Sequence, residues 1–495
     1  MRAQLSVLLT LLVFMVPASA TFADDHALVP EPSVTEHRAR INGDNIRYRA
    51  IAGDTVIKND DGEPVAAIFS TAYFRTDVDN ATRRPITFVF NGGPGSSSVW
   101  LHLGLYGPQK IVLPSDAENP GAAPYELTDN PDSLLDITDL VFIDPVGTGF
   151  SRALGEGKGS DFWGVQKDAA VLAEFIRLFT TEHNKWNAPK YLAGESYGTA
   201  RVGALLAEIQ QGWGTMPING VQLISSIVDF GTARTDPGND LPYVTYLPTY
   251  AAIAWYHNAL PNQHENLEAF LDEARDFAAT ELHTALFQGA RLSEQEEQRI
   301  IDRLHYFTGL DKSFISNANL RVEPHRFFRE LLRDRGQVAG RLDGRYIGEE
   351  WDNAGEFPAA DPSAYGIDGP YTAAMNYYLR NSLGVNRTEQ YNILSGRVFG
   401  GWDWSTPRGQ QQGYHNLAPH FATAQERNND FDIFIANGYF DAATPFFATE
   451  HSFNNNGIDP SRVTMKYYES GHMMYIHHPS LEQLVRDLRE FYAND

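Results

Sequence analysis

The segment Tyr191-Leu192-Ala193-Gly194-Glu195-Ser196-Tyr197-Gly198 constrains the fold more than any other stretch of the chain. An apolar run leads directly into Gly-x-Ser-x-Gly, and Ala204, Leu205, Leu206 and Ile209 follow at helix-compatible spacing. A serine at a sharp strand-to-helix turn is held in a strained conformation, and a bulky neighbour on either side would clash with the adjacent strand or helix. Both flanking positions are therefore glycine. This is the sequence context of a nucleophile elbow.

The rest of the chain supplies the sheet that such a turn needs. Compact apolar runs at 86–90, 140–143, 191–193 and 221–228 read as buried strands. Between the second and third, Trp163, Ala169, Leu172, Ala173, Phe175, Ile176 and Phe179 recur at helical spacing and predict a helix over 161–183. Strands alternating with helices imply a parallel sheet. Two β-type runs, 46–51 and 64–74, flank the turn Asn59-Asp60-Asp61-Gly62 and predict an antiparallel hairpin at the entry. The alternation resumes late, with strands at 431–436 and 463–468, a helix after Pro445 and a closing helix over 479–492.

Between 231 and 429 the pattern changes to charged amphipathic helices, such as 266–279, 293–304 and 326–333. The expected architecture is α/β, the α/β-hydrolase fold: a mostly parallel central sheet with an antiparallel N-terminal hairpin and an inserted, mainly helical cap. Its division is 21–230 for the first part of the core, 231–429 for the cap and 430–495 for the second part of the core.

Serine is a poor nucleophile without a base, and this fold supplies acid and base after the serine, in the order Ser, Asp or Glu, His. Asp441 falls just past the strand at 431–436, and His472 on the loop after 463–468, so both reach the carboxyl edge of the sheet. His477 and His478 lie against the closing helix and are read as structural. The loop Asn91-Gly92-Gly93-Pro94-Gly95-Ser96-Ser97-Ser98 also follows a strand. Its glycines expose backbone N–H groups suited to an oxyanion, together with the amide of the residue after the nucleophile, Tyr197. A phosphate-binding loop is excluded by the missing Gly-Lys-Ser or Gly-Lys-Thr.

Composition narrows the classes further. A formal net charge of −24 without basic tracts argues against a nucleic-acid partner. The chain has no cysteine, so a disulfide framework and any Cys-based metal or nucleophile site are impossible. No metal or organic cofactor is implied. Residues 1–20 open with Met1-Arg2, continue through an apolar run and end Ala18-Ser19-Ala20, the layout of a secretory signal peptide. The expected mature protein is periplasmic or secreted, without a membrane span. The sequence does not define the oligomeric state.

Taken together, Asn91-Gly92-Gly93-Pro94-Gly95-Ser96-Ser97, Asp144-Pro145-Val146-Gly147-Thr148-Gly149-Phe150-Ser151, Gly194-Glu195-Ser196-Tyr197-Gly198 and Gly471-His472-Met473 resemble the serine carboxypeptidase family, in the family's order. The resemblance implies a catalytic triad of Ser196, Asp441 and His472, with the amides of Gly93 and Tyr197 as oxyanion donors. It also implies recognition of the free C-terminal carboxylate of a peptide or protein by Asn91, the amide of Gly92 and Glu195. Two carboxyl groups share a hydrogen bond only if one keeps its proton, so binding is expected to improve at acid pH.

The chain departs from the family pattern at Val89, where a Trp helps hold the carboxylate-binding group, and at Ser96, where a Cys is usual. The short interval from Asp441 to His472 and the missing disulfides point to a bacterial branch. Trp402 and Trp404 admit two placements, lining the cleft or packing between cap and core. The rival readings are an esterase or acyltransferase with the same triad, and a non-catalytic binding protein on the same fold.

Overall fold

Short apolar runs separated by glycine- and proline-rich turns build a 10-stranded mixed sheet in the computed structural model, which describes residues 28–210, 215–406 and 414–493. The expected signal peptide, residues 1–20, lies outside the described residues. The first strands, β1 (Ser33–Ile41), β2 (Asp44–Lys58) and β3 (Pro64–Arg75), pair antiparallel. There follow β4 (Ile86–Phe90), β5 (Asp139–Ile143), β6 (Lys190–Ser196), β7 (Gly220–Ser226), β8 (Asp432–Gly438) and β9 (Val463–Tyr468). Their order across the sheet is β1-β2-β3-β5-β4-β6-β7-β8-β9, and the two-residue strand Arg152–Ala153 pairs beside β3. Every pairing from β5 to β9 is parallel.

Strand β1 has no counterpart among the sequence-predicted strands. Glu36, Arg38 and Arg40 alternate along its exposed face and only Ala39 and Ile41 are buried, so its apolar signal is weak. Charged residues along an outermost strand also discourage pairing with other chains.

The parallel strands are buried on both faces. Phe88 and Phe90 point into one apolar layer, shared with helices α1 (Val165–Glu182) and α2 (Tyr197–Ile209), while Val89 between them points into the other. The period-2 alternation of a strand thus splits one five-residue run between two cores.

The chain between β7 and β8 packs in two ways. Residues from Val244 to Ala339, mostly helical, form an apolar cluster of their own that docks on Tyr439, Phe440, Ala442 and Phe446. Helix α3 (Asp368–Asn381) and the chain after it instead rejoin the two layers of the sheet, through Tyr371 and Tyr378 on one face and Val398, Leu417 and Phe421 on the other. Helices α4 (Phe446–Asn454) and α5 (His478–Ala493) complete the core, α5 covering the face opposite α1 and α2. Among the described residues no helix is long and apolar enough to cross a membrane.

Candidate active site

Strand β6 ends at Ser196 with φ 61° and ψ −131°, and α2 begins at the next residue. L-residues rarely adopt that conformation, and it persists only where the surroundings enforce it. The close crossing of strand and helix enforces it here: a Cβ on Gly194 would lie 2.3 Å from the Gly198 carbonyl oxygen.

Parallel pairing of β8 and β9 brings Gly438 level with Tyr468, so Asp441 and His472 leave the sheet at the same edge. His472 Nδ1 lies 2.7 Å from Asp441 Oδ2. The buried Asp441 carboxylate also accepts from the amides of Ala443 (2.8 Å) and Thr444 (3.0 Å) and from the Thr444 hydroxyl (2.6 Å). A carboxylate only accepts, so Nδ1 carries the hydrogen, and in the neutral imidazole Nε2 keeps its lone pair. Burial pushes the His472 pKa down, but the charge and hydrogen bond of Asp441, aided by Glu195, outweigh it and leave the imidazole above its usual value. The loop is fixed by its backbone: the His472 amide donates to the Leu342 carbonyl at 2.7 Å, and the Ser225 hydroxyl donates to the His472 carbonyl at 2.6 Å.

Asn91, Gly92, Gly93, Glu195, Ser196, Tyr197 and His472 all line one cavity of about 370 Å³, with Asp441 behind His472. The loop after β4 touches the elbow directly. A Cβ on Gly92 would lie 2.4 Å from the Tyr197 nitrogen, so only glycine allows the two backbones to meet. Gly93 takes φ +103°, a left-handed conformation open to glycine.

Asn91 is held on both sides. Its Oδ1 accepts from the Leu101 amide at 3.1 Å and its carbonyl accepts from Arg201, which is paired in turn with buried Asp168. Asn91 Nδ2 is buried beside Glu195 and makes no hydrogen bond of normal geometry within the described residues. Glu195, 4% exposed, accepts from the Tyr475 hydroxyl at 2.6 Å. Burial pushes its pKa up to about 7, against the opposing pull of His472 and Tyr475.

The segment from Asp144 to Ser151 stays out of the cavity and supports the loop. Asp144 Oδ1 accepts from the Ser98 amide (3.0 Å) and the Tyr391 hydroxyl (2.9 Å). The Ser151 hydroxyl donates back to the Asp144 carbonyl at 2.6 Å. Val89 is fully buried in β4, and Ser96 lines the cavity. Trp402 and Trp404 pack edge-on to the Tyr197 ring, at 5.2 and 5.8 Å between centroids, and neither lines the cavity. His477 meets the Ser480 hydroxyl at 2.8 Å, in the first turn of α5.

Several wall residues have no signature in the sequence. Arg341, Leu342, Asp361 and Asp368 reach the cavity from the segment between β7 and β8, and Thr444 from the loop after β8. Thr444 lies three residues past Asp441, one beyond the two-residue reach of an Asx turn, which here ends on the Ala443 amide.

A family model described as serine carboxypeptidase matches residues 72–477, a span that contains every candidate residue from Asn91 to His472. The chain belongs to the serine carboxypeptidase family. Among curated members, serine carboxypeptidase-like 5 of Arabidopsis thaliana is 33% identical over 144 residues, 28% of this chain and 31% of that protein. The pheromone-processing carboxypeptidase KEX1 of Yarrowia lipolytica is 31% identical over 178 residues, 35% of this chain and 25% of that protein. The matched segments thus span less than a third of these relatives. The solved structure of Kex1Δp, a prohormone-processing carboxypeptidase from Saccharomyces cerevisiae, superposes with a TM-score of 0.54 at 16% identity, covering 90% of this chain and 91% of that one. Its fold is shared, an α/β-hydrolase fold.

Proposed function

We propose that this protein is an exported serine-type carboxypeptidase that releases C-terminal amino acids from peptides. In this reading His472 Nε2 takes the proton of Ser196 Oγ as the oxygen attacks the scissile carbonyl carbon, and Asp441 orients and stabilises the imidazolium. The amides of Gly93 and Tyr197 receive the developing oxyanion. His472 then returns the proton to the nitrogen of the departing amino acid, leaving an acyl-enzyme on Ser196. Water, deprotonated by the same imidazole, attacks that ester, and the peptide leaves one residue shorter.

The observation that carries the peptidase reading over a plain esterase is Glu195. A carboxyl group with its pKa near 7, buried in the wall of the cavity that holds Ser196 and His472, keeps a proton under mildly acid conditions. It then donates to the carboxylate of an incoming C-terminus, with Asn91 Nδ2 and the Gly92 amide as further donors. A simple ester without a free carboxylate offers no anion for that proton to meet.

The test is a matched pair of peptides, one ending in a free acid and one in an amide, assayed from pH 4 to 8. A carboxypeptidase cleaves the free acid far better, with a Michaelis constant that rises toward alkaline pH. Equal or negligible turnover of both peptides, beside rapid cleavage of a simple ester, would move the protein to the esterases. Export rests on the layout of residues 1–20 and is checked by N-terminal sequencing of the mature protein from the periplasm or medium.

A further inference from the structure

Glu195 has a partner outside all four sequence motifs. Tyr475 lies in the single turn Met474–Ile476 just after His472, and its hydroxyl donates to Glu195 Oε2 at 2.6 Å. Tyr475 is 2% exposed, and its ring lies against the backbone of Gly104, in the π-helical turn His102–Tyr106. A Cβ on Gly104 would come 2.4 Å from Tyr475 Cε2 and 2.7 Å from the Tyr371 hydroxyl. The absence of a side chain at 104 therefore gives the tyrosine its seat. Burial, with Glu195 and Tyr371 beside it, raises the phenol well above its usual range, so it keeps the hydrogen that it donates to Glu195.

A protonated carboxyl group has a single O–H, and the oxygen that bears it decides whether the acid can donate to a ligand. The carbonyl oxygen of an acid is the better acceptor, so a fixed hydroxyl aimed at Oε2 favours the proton on Oε1. Oε1 is then the oxygen that Tyr475 leaves unoccupied, on a side chain that lines the cavity and stands beside Asn91.

We propose that Tyr475 is a positioning residue for substrate: by occupying Oε2 of Glu195 it holds the acid proton on Oε1, where it meets the C-terminal carboxylate of the peptide. This rests on the reading of Glu195 as a carboxylate-binding group. The groups that face Glu195 are His472, Asp441, Asn91, Tyr475, Tyr371 and Tyr106. Of these, His472 acts in bond cleavage, so its titration enters kcat, whereas the state of the Glu195 proton enters KM.

The experiment replaces Tyr475→Phe, which keeps the ring and removes one hydroxyl. At pH 5 the KM for a free-acid peptide should rise roughly three- to tenfold, the range of one hydrogen bond, with kcat within about twofold. The alkaline rise in KM should move to higher pH, because the ionised form of Glu195 loses a donor. KM for an ester blocked at its carboxylate should stay within about twofold, and in a Glu195→Gln background the second substitution should add less than about twofold. An unchanged KM and pH profile for the free acid would overturn the proposal. So would an equal rise for the free-acid and blocked substrates, which marks a structural role. A native enzyme with no preference for the free acid fails earlier, at the carboxypeptidase reading itself, and takes this proposal with it.

Discussion

Arg201 Nε stands 2.6 Å from Asp168 Oδ2 with both side chains almost fully buried, and the same guanidinium donates to the Asn91 carbonyl. One ion pair thus ties α1 to α2 and both to the loop that begins the candidate oxyanion site. Removing one partner leaves an uncompensated charge in the interior, which typically costs about 3–5 kcal/mol. Asp168→Ala should lower the denaturant midpoint accordingly, with an unchanged m-value. A shift below about 1 kcal/mol would show that the pair contributes little beyond its neighbours.

Ser196→Ala should abolish labelling by a fluorophosphonate probe and reduce kcat by about 10⁴-fold or more, to the residue left by binding and the oxyanion site. The thermal midpoint should change little, since the strained backbone is imposed by Gly194 and Gly198 rather than by the hydroxyl. Asp441→Asn should cost about 10⁴-fold in kcat, because an amide no longer selects the Nδ1–H tautomer of His472. Retention of probe labelling by the Ser196 variant would transfer the role to another serine.

The pH dependence has two limbs of opposite sign. The His472 pKa lies above its usual value, so the neutral base is lost and kcat/KM falls as the pH drops through that pKa. The Glu195 pKa is raised to about 7, so the protonated form, the donor of the proposed carboxylate site, persists below that pH and is lost as the pH rises through it. Glu195→Gln should abolish the alkaline rise of KM for free-acid peptides, the amide being a donor at every pH. The kcat profile should keep its acid limb.

Asp144 titrates in the structural layer instead. Burial pushes its pKa up to about 7, from an ordinary 3.8, although Ser98 and Tyr391 donate to it. A carboxyl whose folded pKa is raised contributes fully below the unfolded value and loses stability as the pH climbs to the folded one. For Asp144 that window runs from about 4 to about 7 and is worth at most roughly 4 kcal/mol. Asp144→Asn should therefore raise the melting temperature at pH 8 and leave it nearly unchanged at pH 4. A variant destabilised equally at both values would show that its hydrogen-bond geometry matters more than its charge.

The features visible in the sequence were local ones. Gly194, Ser196 and Gly198 announce their turn because close backbone contacts admit little but glycine, and β4, β6, β8 and β9 announce themselves as apolar runs of strand length. Asp441 and His472 could be placed because each directly follows such a run. Tyr475 was not legible: its hydrogen bond to Glu195 spans 280 residues and belongs to no periodic pattern. The same holds for Arg341 and Asp361, which reach the cavity from the long segment between β7 and β8. The raised pKa of Glu195 was equally hidden, since it follows from burial and not from neighbours in the chain.

The parallel register of β8 and β9 also bears on which changes of length the enzyme can accept. Because Gly438 pairs with Tyr468, the distance between Asp441 and His472 is set by the spacing of adjacent strands and not by the 31 positions that separate them along the chain. Residues inserted after α4 would bulge into solvent and leave the carboxylate and imidazole in contact. A single residue deleted inside β9 would turn each of its following side chains to the opposite face and draw the imidazole away from its carboxylate. Growth of this protein is free on its surface and closed in one six-residue strand.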